Sequence, residues 1–254
     1  ISVRKSLDVY NMAGASRDIE QYVKDLSQWY IRRSRNRFKS GDVYALGTLH
    51  YCLLLLSELL APFIPFVSEE MYQNLSVNIG LKDSKESVHL VDYPFVDENE
   101  VNYDVLKQME NIRIICSNGL KAREKAKINL RQPLSVAYIG SKDKLTQEIV
   151  KQELNVMEIE YAEKPVEGES RFTAGEGNMF VTINCDICEE LRKVGMINDF
   201  LRRYKDLRKR KGLKMSDIVT VKLNVEDEDM LSALKEYSEE NLEELQAKEV
   251  VFTK

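Results

Sequence analysis

Between Ile19 and Lys39 an apolar helical stripe runs straight into a block of arginines. Ile19, Tyr22, Val23, Leu26, Trp29 and Tyr30 recur at the i, i+3, i+4, i+7 spacing that puts side chains on one face of a helix. Beyond Tyr30 the pattern turns cationic, with Arg32, Arg33, Arg35, Arg37 and Lys39 in the run DLSQWYIRRSRNRFK. At about 100° per residue, Arg32 and Arg35 point away from the stripe. Arg33 and Arg37 prolong it, past the point where a core could absorb them. One reading is a solvated helix end, where positive charge also suits the helix dipole. The other is a grip for a polyanion with ordered phosphates. Four arginines within six residues, with almost no interleaved acid, favour the phosphate reading.

The surrounding residues predict an antiparallel helical bundle. A first helix covers residues 1–11, and Gly14-Ala15-Ser16 reads as a turn with Ser16 as N-cap. The arginine helix runs from Arg17 to Phe38. A third helix starts at Gly41-Asp42 with Leu46, Leu49, Leu53, Leu56 and Leu60 facing inward, and its all-round apolar middle puts it centrally. Pro62 and Pro65 end it, and Pro65 opens a fourth helix through Leu75 with Glu69 and Glu70 near its positive end. His50 sits beside the leucine stripe as a satisfied bundle-edge histidine. Residues 76–102 form a connector with an extended piece at 88–91. A fifth helix from Asp104 buries Val105, Met109, Ile112, Cys116 and Leu120, then turns basic at Lys121, Arg123, Lys125 and Lys127. That second cluster reads equally as a solvated end or a further phosphate contact.

From Arg131 strands and helices alternate. Strands are expected at 134–139, 156–161, 170–173, 178–183, 218–224 and 249–253, and helices at 142–153, 187–211 and 228–246. The 187–211 helix carries Arg192, Arg202, Arg203, Lys209 and Arg210 opposite its apolar face and stops at Gly212. The fold class is therefore α+β: a helical bundle at 1–130, connector included, followed by a small mixed domain at 131–254.

Composition narrows the function. The net charge of −5 argues against wholesale nucleic-acid affinity, yet nine cations lie in residues 1–40 and eight between Arg202 and Lys214. An approaching phosphate meets that local field rather than the average. No run of eighteen apolar residues predicts a membrane span. The chain opens on Ile1 inside a helical pattern, as expected of a piece of a longer protein. Four cysteines, at 52, 116, 185 and 188, read as free thiols in a reducing cytoplasm. Cys185 and Cys188 have zinc or redox spacing but lack two further ligands nearby, so a strand-to-helix junction is the plainer reading. No catalytic residue and no metal ligand is assigned. With two histidines and scattered carboxylates there is no acid–base constellation.

Five segments in order carry a resemblance to the isoleucyl-tRNA synthetases. QWYIRRSRNRF looks like the WYIRRSR-type segment of their anticodon-binding bundle, and LAPFIPFVSEEMYQNL resembles a segment shared with the valyl and leucyl enzymes. ESVHLVDYP, KINLRQPL and DLRKRKGLKMSD resemble later segments of the isoleucyl family. The chain departs from it at 194–201, where VGMINDFL replaces an EGLAREL-like run. Lys214-Met215-Ser216 resembles the start of the KMSKS loop of class I synthetases but lacks the second lysine. No HIGH-type motif, Walker loop or dinucleotide fingerprint is present.

The resemblance implies an anticodon-binding bundle plus C-terminal portion without catalytic or editing domains. It implies a partner tRNA(Ile) held at the anticodon stem-loop, a catalytic domain in cis, and no membrane or DNA partner. ATP and magnesium belong to that catalytic domain, and this chain is expected to hold no cofactor. Arg32, Arg33, Arg35, Arg37 and Lys39 would hold stem phosphates, with Lys121, Arg123, Arg131, Arg202, Arg203 and Arg210 as further contacts. Trp29 reads as core, with stacking on an unpaired base as its alternative. A valyl or leucyl relative remains open, though the RQPL step favours the isoleucyl family. So does a protein-interaction scaffold in which the acidic helix binds a basic partner.

Overall fold

The computed structural model describes residues 1–214, 216–225 and 227–253, so Met215 of the KMS run lies outside the described residues. Two compact units divide the chain at Val101 and Asn102.

The first unit is helical. α1 (Ser2–Asp8) and α2 (Met12–Asp25) are joined by a tight turn at Tyr10. The α2 N-cap is Asn11, whose Oδ1 accepts from the Gly14 N–H at 2.9 Å. The expected Gly14-Ala15-Ser16 turn is thus helix, because Asn11 supplies a cap one turn earlier. After α2 the backbone widens into a π segment, Leu26–Ile31, and continues as α3 (Arg32–Lys39). Asp42 caps α4 (Val43–Leu60), accepting from Tyr44 N and Ala45 N, each at 3.0 Å. Pro65 opens α5 (Pro65–Tyr72), which runs into a second π segment, Gln73–Val77. The core joins Val3, Ala15, Ile19 and Leu56 to Leu60, Phe63 and Tyr93.

Length and composition alone would let α4 cross a membrane. In the bundle, Ala45, Leu56 and Ser57 of α4 are buried, and Tyr22 donates its hydroxyl to the Cys52 carbonyl at 3.0 Å. Residues 88–90, expected to be extended, form a 3₁₀ turn. Glu69 fixes them: its carboxylate accepts from Ser87 Oγ at 2.8 Å, Val88 N at 3.0 Å and Gln73 Nε2 at 2.8 Å. These bonds hold its carboxyl below the usual range, Gln73 foremost. The SEE and ESVHL segments are thus two halves of one clamp.

The second unit opens with α6 (Tyr103–Lys125). The sequence pattern groups this helix with the bundle. In the structure it packs on β3 (Arg171–Ala174), β4 (Val181–Asn184) and α7 (Lys144–Leu154). Ile112, Ile115, Cys116, Gly119 and Ala122 supply its buried face. Gly119 is required there, because a Cβ would lie 2.3 Å from the Leu154 side chain. With β1 at Leu134–Ile139 and β2 at Val156–Tyr161, the sheet order is β2-β1-β4-β3. β1 and β2 are parallel across the α7 crossover, with Leu134 opposite Val156. β4 runs antiparallel to β1 and β3.

α8 (Glu189–Arg210) comes next and ends at Gly212, whose φ of +70° suits a residue without a Cβ. β5 (Val219–Asn224) pairs in parallel with β6 (Ala247–Thr253). The acidic stretch between them breaks at Asn241 into α9 (Glu228–Glu240) and α10 (Leu242–Leu245). Leu201, Tyr204, Val221, Leu245 and Ala247 form the core beneath this ribbon. A helical unit followed by a helix-packed sheet unit is an α+β chain.

Candidate nucleic-acid interface

The π segment decides which arginines face out. Each i→i+5 turn takes in about one extra residue, setting the helical phase back by about 100°. The buried side therefore steps from Leu26 through Tyr30, Ser34 and Phe38, at four-residue spacing. Leu26 and Ser34 are buried, and Tyr30 and Phe38 meet edge to face with centroids 6.2 Å apart. Tyr30 also donates its hydroxyl to the Ala45 carbonyl at 2.9 Å, pinning the helix to α4. Val23, part of the stripe by its spacing, is exposed. Arg33 and Arg37 thus do not continue the buried stripe; Ser34 and Phe38 do.

Trp29 lies in the π segment and is half-buried. The Arg33 guanidinium carbon stands 5.3 Å from its ring centroid and that of Arg32 5.9 Å. One indole thus gathers two cations, an arrangement attractive by the ring quadrupole. Arg32 further donates Nε–H to the Gln28 carbonyl at 2.8 Å, which fixes its stem. Arg35 and Lys39 are exposed on the same short helix. Arg37 departs from the expectation of a bare cation. Its Nε lies 2.8 Å from Asp42 Oδ2, and this partner and the capped N–H groups hold the Asp42 carboxyl below its usual range. Arg37 therefore ties the end of α3 to the start of α4, although its side chain stays half-exposed.

The second group of expected contacts divides. Lys121 is exposed on α6. Arg123 is a correction: at 2 % exposure it lies inside the fold. Its guanidinium donates to the carbonyls of Leu154 (2.9 Å), Asn129 (2.9 Å), Gln132 (3.0 Å) and Asn155 (3.0 Å). Burial pushes it down to about 10, so it remains charged at neutral pH. A planar fork that spends four of its five N–H donors on carbonyls, at 2 % exposure, is a structural staple rather than a phosphate contact.

The loop that Arg123 holds is the RQP step. Arg131 pairs with Asp199 of α8 through Nε, and Asn198 donates to the Arg131 carbonyl at 3.0 Å. Gln132 donates to the Leu191 carbonyl at 2.7 Å, and Gly195 leaves it room. Arg131 is thus engaged in seating α8. The same economy recurs at Arg208, 7 % exposed, which donates to Lys214 O (2.9 Å) and Asp217 O (2.7 Å). Arg202, Arg203 and Arg210 are exposed on α8, with Arg202 3.8 Å from Asp206.

Other sequence candidates resolve simply. His50 Nε2 lies 2.7 Å from the Leu75 carbonyl, the satisfied bundle-edge histidine expected. Cys185 and Cys188 are free thiols at the junction before α8, and burial pushes the Cys185 thiol up. Among the described residues no group of three or more His, Cys, Asp or Glu converges to hold a metal. Sequence reasoning missed the exposed tyrosines of α4, Tyr44 (86 % exposed) and Tyr51 (66 %). Their seven-residue spacing on one helix face was the signal available.

Comparison with known proteins identifies the family. Residues 1–138 match the model for the anticodon-binding domain of tRNA ligase. The chain is 34 % identical over 253 residues to the isoleucine–tRNA ligase of Dehalococcoides mccartyi, covering 94 % of this chain and 25 % of that protein. It is 39 % identical over 167 residues to the enzyme of Clostridium novyi, covering 63 % of this chain and 16 % of the relative. With that of Clostridium tetani it is 28 % identical over 326 positions, covering 98 % and 31 %. The chain therefore spans about a quarter of the length of the first of these curated relatives. With more than half of its residues inside the matched region, the chain belongs to the family of anticodon-binding domains of tRNA ligases.

Proposed function

We propose that this chain is the part of an isoleucine–tRNA ligase that holds the anticodon stem-loop of tRNA(Ile). The observation that carries the reading is the array of Arg32 and Arg33 over Trp29, continued by exposed Arg35 and Lys39. Guanidinium groups steadied on an indole lose less freedom on meeting a phosphate than free ones do, which suits a site that must fix register. The exposed cations of α8, Arg202, Arg203 and Arg210, with Lys121, are secondary contacts in the same reading. Arg123, Arg131 and Arg37 support the fold around them.

The whole protein would ligate isoleucine to its tRNA using ATP in the cytoplasm. ATP and its magnesium would be held by a catalytic domain in cis, and no residue of this chain is assigned to them. The chain alone is then expected to bind tRNA without catalysing isoleucine-dependent ATP–pyrophosphate exchange. The likeness to isoleucine–tRNA ligases over 94 % of the chain supports this reading over a valyl or leucyl one. Footprinting on an isoleucine tRNA and a valine tRNA tests it. Protection of the anticodon arm, stronger on the isoleucine tRNA, is the expected result. Equal protection of both would leave tRNA binding but remove the isoleucine assignment, and no protection of either would remove both.

A further inference from the structure

Between α8 and β5 lies a pocket of about 360 Å³, lined in part by the DLRKRKGLKMSD segment. Phe200, Tyr204, Leu207 and Val221 make its walls, and Arg203, Lys211 and Lys222 stand among its lining residues. Leu207 is 52 % exposed, an apolar side chain left half in water on a helix otherwise crowded with cations. Phe200 and Tyr204 stack with centroids 5.9 Å apart and planes 11° from parallel. The Tyr204 hydroxyl is committed to the Leu245 carbonyl at 2.8 Å, so that residue offers the pocket its ring rather than its polar end. Arg208 is likewise committed to loop carbonyls, and Lys222 alternates to the outer face of β5, which leaves Arg203 and Lys211 as the cations of the pocket. Phe200, Arg203 and Leu223 also line a wider groove of about 730 Å³, in which Asp227 is exposed and Asp199 is paired with Arg131.

We propose that this pocket takes one unpaired nucleoside of the bound RNA, its base against Phe200, Leu207 and Val221 and its phosphate on Arg203 and Lys211. Identifying that RNA as a tRNA rests on the function proposed above; the chemistry of the pocket does not. The volume lies within the roughly 300–1,000 Å³ of small-molecule sites. Apolar and aromatic walls beside cations are the combination by which proteins hold splayed-out bases. An acidic peptide is the rival occupant, and the charge distribution disfavours it. An extended peptide would run on into the groove towards the exposed Asp227, whereas one base and its phosphate fill only the cationic end.

The test uses the full chain and a fluorescein-labelled single-stranded RNA hexamer at low salt, with an acidic hexapeptide and intact isoleucine tRNA titrated in parallel. Leu207→Asp and Lys211→Glu alter exposed side chains, and circular dichroism checks that each variant folds. Both should weaken hexamer binding about tenfold or more, while Lys151→Glu, an equal charge reversal on α7 outside the pocket, should leave it within about twofold. Hexamer binding unaffected by the pocket variants, no hexamer binding at all, or tighter binding of the peptide would each overturn the proposal. Should the hexamer bind in the pocket while intact tRNA does not bind, the tRNA reading fails and the nucleoside pocket stands. If tRNA binds but the pocket variants leave the hexamer untouched, only the pocket is lost.

Discussion

Arginine-rich helix ends occur in both halves of this chain, with similar composition and opposite fates. At α3 the guanidinium groups of Arg32 and Arg33 gather over Trp29, and Arg35 and Lys39 are exposed. At the ends of α6 and α8, Arg123 and Arg208 turn inward and satisfy backbone carbonyls. The difference lies in the backbone just beyond each helix. α3 is succeeded almost at once by Gly41 and the Asp42 cap of α4, so little irregular backbone needs a donor. Beyond α6 and α8 the carbonyls of Asn129 and Gln132, and of Lys214 and Asp217, lie outside regular elements and accept from these arginines. Arg123 and Arg208 become part of the fold behind their helices; at α3 Arg37 is tied to the Asp42 cap, while Arg35 and Lys39 stay exposed.

The largest effect expected from this contrast is at Arg123. Arg123→Ala should lower unfolding free energy by about 3 kcal/mol or more, because several buried carbonyls lose their donor together. Arg123→Lys should recover little of it, since a point charge cannot fork to four acceptors. Chemical denaturation measures both, and a loss under about 1 kcal/mol would erase the distinction between the two helix ends. Next comes Arg33→Ala with Arg35→Ala, expected to weaken tRNA binding by about 1–3 kcal/mol with stability nearly unchanged.

A smaller, pH-dependent effect belongs to Glu69. Its folded carboxyl titrates below the unfolded one, so its contribution is present above the unfolded value and lost as pH falls through the folded value. Acidification should therefore destabilise the native chain more than Glu69→Gln, and parallel acid titrations would refute the clamp. The smallest is Gly47→Ala in α4. A Cβ there meets nothing within 4 Å, so the change should stabilise by about 0.5–1 kcal/mol.

Much of the architecture is legible in the residues alone. Asp42, Pro65 and Gly212 mark helix ends because cap chemistry is local, and β1 and β2 fall where their apolar runs put them. The π segments are not legible: the 3.6-residue period of an α-helix carries the stripe through Arg33 and Arg37 instead of Ser34 and Phe38. Arg123 is misplaced by its sequence context because two of its acceptors, Leu154 and Asn155, lie 31 and 32 residues away. α6 groups with the bundle by pattern because its buried face reads the same against helices as against a sheet. The array at Trp29 is half legible, since spacing puts Arg32 and Arg33 near the indole but cannot say that both lean over it.

The dependence of isoleucine-tRNA affinity on salt tests the central claim most directly. For a grip on about four to six phosphates, log affinity against log salt should fall with a slope of roughly −3 to −5. In the Arg33→Ala, Arg35→Ala chain the slope should become shallower by about 2. A slope unchanged by removing those two guanidinium groups would contradict the account, because the cations gathered at Trp29 would then not be the ones the RNA meets.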